Sequence, residues 1–338
     1  MARVRIQDIA EQAGVSPATV SRYLNNKPGQ MTEATRARIA EVIARTGYRP
    51  RSAARSLRLD NSHLIGVILA DSGNPFSSAV LDELATGAAA RGYSVMASFS
   101  GNDPDREREA VERLMDMGAE ALIVNTCGGA DEEVERADAR VPVVLLDRDT
   151  ASESLDLVSS NNDELMGGLL DEISQAGCTW CGLLTEDRDA SSVRRARAAS
   201  FTRGVKARGM AGGVGALPDD AARAAERLAA FVPQGVERVG IIAVNGLVFL
   251  RLVAALEEDA TGMRGRLRIA TFDDYPWNRA VYGGVTTAAQ DTAAMARAVL
   301  DRAIERISAH PAATGHAAPL RLEISGSIHH RPSTDPVR

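Results

Sequence analysis

Three guanidinium groups fall within four residues at Arg194, Arg195 and Arg197. A guanidinium fork grips a carboxylate or phosphate through two parallel N–H···O bonds, so the cluster suits an acidic small molecule. The same spacing fits a helix whose Arg194 and Arg195 simply face water, which leaves a neutral ligand as the alternative. A second cationic candidate, Arg22, sits among Ser16, Pro17, Ala18, Thr19, Ser21 and Asn25. Placed on one helical face, these small and polar residues can enter a DNA major groove roughly 12 Å wide, with Arg22 at base edges and hydroxyls at phosphates. Other signals are set aside. Cys178-Thr179-Trp180-Cys181 has the spacing of a redox pair or half a zinc site, but no second pair accompanies it and it enters a strand, so a structural role is expected. Adjacent His329 and His330 point apart and make a poor metal site. With no Walker-type loop, nucleophile elbow or His-Glu-x-x-His, the chain reads as a non-enzyme without cofactor or metal.

The elements that must carry these residues follow from periodicity. Ile6, Ile9, Ala10 and Ala13 make one apolar stripe on a short helix that Gly14 ends. Ser16 caps the next helix and Pro17 takes its first position, where a missing N–H costs nothing. Val20 and Leu24 turn inward, and a third helix opening at Thr32, Thr35 and Arg36 closes the small core with Ile39, Val42 and Ile43. A three-helix domain that binds protein is the plainer alternative for this segment.

Charge divides the chain at the same place. The first 60 residues carry a net +6 and the remaining 278 a net −12. That asymmetry implies a nucleic-acid-binding head on an acidic body. At 338 residues and 45% hydrophobic, the chain can bury a sizeable core. No apolar run reaches the ~20 residues needed to span a bilayer and no secretion signal opens the sequence, so a cytoplasmic protein without membrane partners is expected. Three cysteines do not make a disulfide framework.

From Leu64 the body alternates short apolar runs with helical patterns. Leu64–Leu69, Val95–Ala97, Ala121–Val124 and Val141–Leu146 read as one strand series; Cys181–Leu184, Val239–Val244 and Arg268–Phe272 read as another. Met210–Gly215 reads as a flexible loop. Repeated βα units imply parallel sheets covered on both faces, and two series make two lobes with a ligand cleft at the strand carboxyl ends.

Asp8-Ile9-Ala10, Ala13-Gly14-Val15-Ser16, Thr19-Val20-Ser21-Arg22 and Leu24-Asn25 resemble the headpiece signature of the lactose/galactose repressor family. Gly47 to Leu57 resembles that family's hinge. Ile65-Gly66-Val67, Asn74-Pro75-Phe76, Pro142 to Arg148, Phe272-Asp273-Asp274 and Gln290 resemble its inducer domain. The resemblance implies an all-α helix-turn-helix headpiece plus an α/β periplasmic-binding-protein-like body of two doubly wound parallel-sheet lobes. Its expected divisions are a headpiece at 1–47, a hinge helix and linker at 48–62, a first lobe at 63–160 plus 289–328, a second lobe at 161–288 and a polar tail at 329–338. The chain is expected to cross between lobes near 160, 288 and 320.

Carried over position by position, the resemblance implies DNA contacts from the face around Arg22 together with Thr32, Tyr48, Arg51 and Ala54, with Leu57 as a minor-groove wedge. It implies ligand contacts from Phe76, Ser77, Asn125, Asp147, Arg194, Arg197, Asn245 and Asp273. Phe76 can instead plug the core, and Asn125 and Asp147 can instead cap the helices that follow. Trp277, a few residues past a strand end, is placed to stack on a sugar. Asn161-Asn162 and Asn245-Gly246 depart from the family's usual Asp-Asn and Asn-Asp, losing one acceptor each. The implied protein is a homodimeric repressor released from a near-palindromic DNA operator by a sugar, sugar acid or sugar phosphate. A corepressor-dependent repressor or an activator remains open. A transport receptor would have no use for the basic head, and an enzyme would need a constellation that is missing.

Overall fold

The computed structural model describes residues 4–24, 31–46, 48, 62–186, 191–258, 262–309 and 319–336. The chain divides into two compact units, 1–62 and 63–338. The expected contacts at Asn25, Arg51, Ala54 and Leu57 lie outside the described residues.

In the first unit, α1 (Ile6–Ala13), α2 (Pro17–Leu24) and α3 (Glu33–Thr46) pack around buried Ile9, Ala10, Ala13, Val20, Ile39 and Val42. Gly14 ends α1 in the left-handed conformation at φ 63°, which a side chain would disfavour. The Ser16 hydroxyl then accepts the Thr19 backbone N–H at 3.2 Å and fixes the start of α2. Arg45 donates to the Gln12 side chain at 3.0 Å, tying α3 to α1.

The second unit holds two six-stranded sheets. The first combines β1 (Leu64–Leu69), β2 (Ser94–Phe99), β3 (Ala121–Val124), β4 (Val143–Leu146), β5 (Asp156–Ser160) and β11 (Arg321–Ile324) in the order β11-β5-β4-β3-β1-β2. All its pairings are parallel. Helices α4 (Pro75–Ala90), α5 (Pro104–Asp116), α6 (Asp131–Asp138) and α11 (Thr292–Ser308) belong to this lobe. The second sheet combines β6 (Trp180–Thr185), β7 (Ala211–Ala216), β8 (Val239–Ala243), β9 (Leu267–Phe272), β10 (Thr286–Ala289) and β12 (Ser327–His329) in the order β12-β10-β9-β8-β6-β7. Its helices are α7 (Asn162–Gln175), α8 (Ser192–Ala207), α9 (Ala221–Phe231) and α10 (Gly246–Glu257). Central strands are apolar on both faces, as helix-covered parallel sheets require.

Two expectations are corrected. Residues 211–216 form edge strand β7 rather than a loop. Their glycines disguise the strand because the site has no room for side chains: a Cβ on Gly212 would sit 2.4 Å from the Cys181 carbonyl oxygen, and one on Gly215 would sit 2.9 Å from the Phe231 ring. The last segment is not a free polar tail. After β11 the chain crosses at 325–326, later than expected, and β12 pairs antiparallel with β10 in the second sheet. The turn that follows is pinned there as well: Ser333 Oγ donates to the Ile269 carbonyl at 2.6 Å, and Thr334 is buried. Residues 327–335 therefore complete the second lobe instead of ending the first.

Candidate functional site

The carboxyl ends of both sheets meet at a cleft of about 420 Å³, mouth included. It is lined by Asp71, Asn74, Phe76, Ser77, Asn125, Asp147 and Arg148 from the first lobe, and by Val193, Arg194, Arg197, Asn245, Asp273 and Gln290 from the second. Eight of the nine residues expected to face a ligand thus converge there, although they span some 200 positions of sequence.

Each is placed by a local device. Asn74 caps α4 by accepting the Phe76 N–H at 3.0 Å, and Pro75 occupies the first helical position, which sets Phe76 and Ser77 at the cleft floor. Phe76 both lines the cleft and packs on the apolar core. Asn125 follows β3 and donates Nδ2 to the Leu146 carbonyl at 2.9 Å, joining the ends of β3 and β4. The loop after it is held by Glu107, a fully buried carboxylate on α5 that accepts the Thr126 hydroxyl at 2.6 Å and the Cys127 N–H at 2.7 Å. Burial pushes the Glu107 carboxyl above its ordinary range, against those hydrogen bonds and the Arg148 charge.

Asp147 and Asp273 occupy matching positions at the ends of β4 and β9, and both are left-handed, at φ 65° and 70°. Aspartate tolerates this conformation better than most side chains, and the turn carries each carboxylate into the cleft. Asp273 accepts Gln290 Nε2 at 2.6 Å and the Gly246 N–H at 3.3 Å. Asp147 Oδ1 is sealed from solvent with no hydrogen-bond partner among the described residues. Burial raises its carboxyl above the ordinary value, Arg197 and Arg148 oppose that, and Asp273 adds to it.

Arg197, from α8, is buried between these acids. Its Nε donates to Asn162 Oδ1 at 2.7 Å and its Nη1 to the Val244 carbonyl at 2.8 Å. Nη2 has no partner among the described residues. Arg194 donates Nη2 to Glu186 Oε1 at 2.9 Å, the same oxygen that accepts Asn245 Nδ2 at 2.9 Å. Burial draws both guanidinium groups below their ordinary value. For Arg197, Asp147 and Asp273 pull back; for Arg194, Glu186 does so most.

Trp277 is the expectation that fails: it does not line the cleft. It packs on the second lobe's core and tilts against Tyr275, ring centroids 4.7 Å apart. The cause is Gly246, where a Cβ would lie 2.5 Å from the Tyr275 ring, so this glycine admits Tyr275 and Tyr275 holds Trp277 away. The other departure, Asn161, turns its Oδ1 to the Gly326 N–H at 2.9 Å and supports the last crossing. Sequence reasoning missed Asp71, Asn74, Arg148, Val193 and Gln290 as cleft residues; Asn74, Arg148 and Gln290 belong to the motifs that carry the family resemblance but were given no contact there, and Asp71 and Val193 had no signal.

In the headpiece, Ser16, Pro17, Ala18 and Arg22 are exposed, while Thr19 and Ser21 are half-buried. The Ser16 and Thr19 hydroxyls pair at 2.9 Å, as do those of Thr32 and Thr35. Tyr48 packs against the small core. Cys178 and Cys181 are buried free thiols, Cys178 pushed up to about 11 by burial and Cys181 further still. Neither is poised for redox chemistry. Among the described residues no helix is long and apolar enough to cross a membrane.

Comparison with known proteins agrees with this architecture. Residues 5–51 match the model for bacterial regulatory proteins of the lacI family, and residues 65–309 match that for a periplasmic binding protein domain. The chain is 32% identical over 329 residues to the HTH-type transcriptional regulator KdgR of Bacillus subtilis, covering 96% of this chain and 95% of that one. It is 32% identical over 338 residues to PtxS of Pseudomonas plecoglossicida, another HTH-type transcriptional regulator, covering 99% and 97%. The fold superposes on the lac repressor dimer bound to operator and the anti-inducer ONPF with a TM-score of 0.83 at 20% identity, over 98% of this chain and 99% of that chain. The chain belongs to the lacI family of bacterial regulatory proteins and is a DNA-binding transcriptional regulator.

Proposed function

We propose that the protein is a cytoplasmic homodimeric repressor that leaves a near-palindromic operator when an acidic sugar derivative fills the cleft. The observation that carries the ligand class is a pair of buried atoms of opposite chemistry, Arg197 Nη2 and Asp147 Oδ1, that have no hydrogen-bond partner among the described residues. Buried polar groups are normally satisfied, so the cleft wants one ligand that both donates and accepts. Hydroxyls suit Asp147 and Asp273, and a carboxylate or phosphate suits the guanidinium groups of Arg148, Arg194 and Arg197.

Two headpieces on a two-fold axis would address half-sites about one helical turn apart, with Arg22 and its neighbours in the major groove. The expected hinge, from Tyr48 through Arg51 and Ala54 to Leu57, would order on the minor groove. A ligand releases DNA only by favouring one lobe arrangement, and a coupling of ~1–3 kcal/mol gives roughly 5- to 150-fold. Fluorescence anisotropy on a selected operator, titrated with D-glucose, D-gluconate and glucose 6-phosphate, tests the reading. Release by gluconate or the phosphate but not by glucose is expected; release by glucose alone refutes the acidic ligand, and tighter DNA binding in the presence of ligand refutes release by an inducer.

A further inference from the structure

Glu186 stands at the carboxyl end of β6, where its carboxylate performs an unusual task. One oxygen, Oε1, accepts from both Arg194 Nη2 and Asn245 Nδ2, each at 2.9 Å. Arg194 and Asn245 line the cleft and Glu186 is not among the lining residues. The ion pair is largely dry, with side-chain exposures of 9% for Arg194 and 14% for Glu186. A carboxylate of the protein's own thus occupies the two donors that would hold an acidic ligand.

We propose that Glu186 is a specificity-determining residue that acts as an internal competitor for the cleft's anion subsite. It neutralises Arg194 while the cleft is empty, and an incoming carboxylate or phosphate must share or displace it. This deepens the acidic-ligand reading above and rests on it for the natural effector, though not for the subsite itself.

A guanidinium this buried needs a counter-charge, because an isolated buried charge is far costlier than a paired one. Glu186 supplies it in the empty state. The same negative charge repels an anion approaching Arg194 at short range, where screening by water and salt is weak. Glu186 therefore stabilises the empty protein at the cost of anion affinity, and it sets a threshold that only a ligand with further contacts to Arg197, Asp147 and Asp273 would pass. Small anions in the cell would be turned away.

The test uses the full-length protein, calorimetry and thermal shift. In Glu186→Gln the amide keeps the size and one acceptor but loses the charge. Its empty form is expected to melt below wild type, and inorganic phosphate is expected to restore part of the loss while leaving wild type almost unmoved. The ratio of gluconate to glucose affinity is expected to rise by roughly tenfold. The double variant Glu186→Gln/Arg194→Met, which removes both charges and retains the apolar stem, is expected to lose the phosphate response and the raised ratio. An unchanged or lowered ratio in Glu186→Gln overturns the proposal, as does a phosphate response that survives in the double variant. If wild type binds no gluconate while phosphate stabilises only Glu186→Gln, in an Arg194-dependent way, the competitor stands and the acidic-sugar reading falls.

Discussion

Arg197 lies over the Phe272 ring, its guanidinium carbon 3.9 Å from the centroid. The contact fixes the plane of the guanidinium, and the bonds to Asn162 and Val244 fix its rotation, so Nη2, which has no partner among the described residues, has a set direction before any ligand arrives. Such preorganisation lowers the ordering cost of binding.

Arg197→Ala is therefore expected to abolish the effector response while leaving operator affinity intact. Loss of one charged hydrogen bond corresponds to about 1.5–3 kcal/mol, or roughly ten- to 150-fold in Kd. Arg197→Lys should recover little, since an ammonium lacks the planar fork. Calorimetry with gluconate, paired with anisotropy on operator DNA, checks both; retained induction in Arg197→Ala would remove Arg197 from the site.

Asp147 should make the empty protein less stable as pH rises. Its carboxyl is raised by burial, so the folded state binds the proton more tightly than the unfolded state does. The cost of ionisation is absent below the ordinary carboxylate range and complete above the raised value. Asp147→Asn, which also tolerates the left-handed backbone, should gain stability at pH above the raised value, flatten the slope that sets in above the ordinary carboxylate value of 3.8, and weaken effector binding. Urea unfolding at several pH values reads this out; an unchanged slope would contradict it.

Arg331 should anchor the second lobe. Its Nη1 lies 2.7 Å from Asp274 Oδ1 and its Nη2 donates to Oδ2 at 2.9 Å, with side-chain exposures of 14% and 10%. Burial alone would raise Asp274, but hydrogen bonds from Arg331 and His329 prevail and hold it at about 2. Its contribution is present above the unfolded value of 3.8 and is lost as pH falls toward about 2. Arg331→Met should cost about 3 kcal/mol and move acid unfolding to higher pH. A melting temperature equal to wild type would show the last segment to be dispensable.

Leu57→Ala tests the hinge expected from the resemblance. A wedge acts only where the duplex kinks, so operator affinity should fall about tenfold or more while binding to random duplex changes by less than about twofold. Equal losses on both DNAs would contradict the wedge.

Much of this molecule is legible in order along the chain. Helix stripes, the Ser16 and Asn74 caps, Pro17 and Pro75 at first positions and the apolar strand runs are local signals read within one or two turns. Missed elements share a cause as well. β7 is hidden by glycines whose absent side chains matter only against Phe231 and Cys181, and β12 is three residues whose pairing partner lies some forty positions away.

The sequence by itself determined that a basic three-helix head precedes an acidic βα body, because charge and periodicity are properties of neighbouring residues. Only the tertiary structure decided which side chains share the cleft. Asp147, Arg197 and Asp273 meet because strand order brings distant carboxyl ends together and because two aspartates adopt left-handed backbone. Trp277 is excluded because Gly246 leaves room for Tyr275, a contact between residues that no local pattern connects.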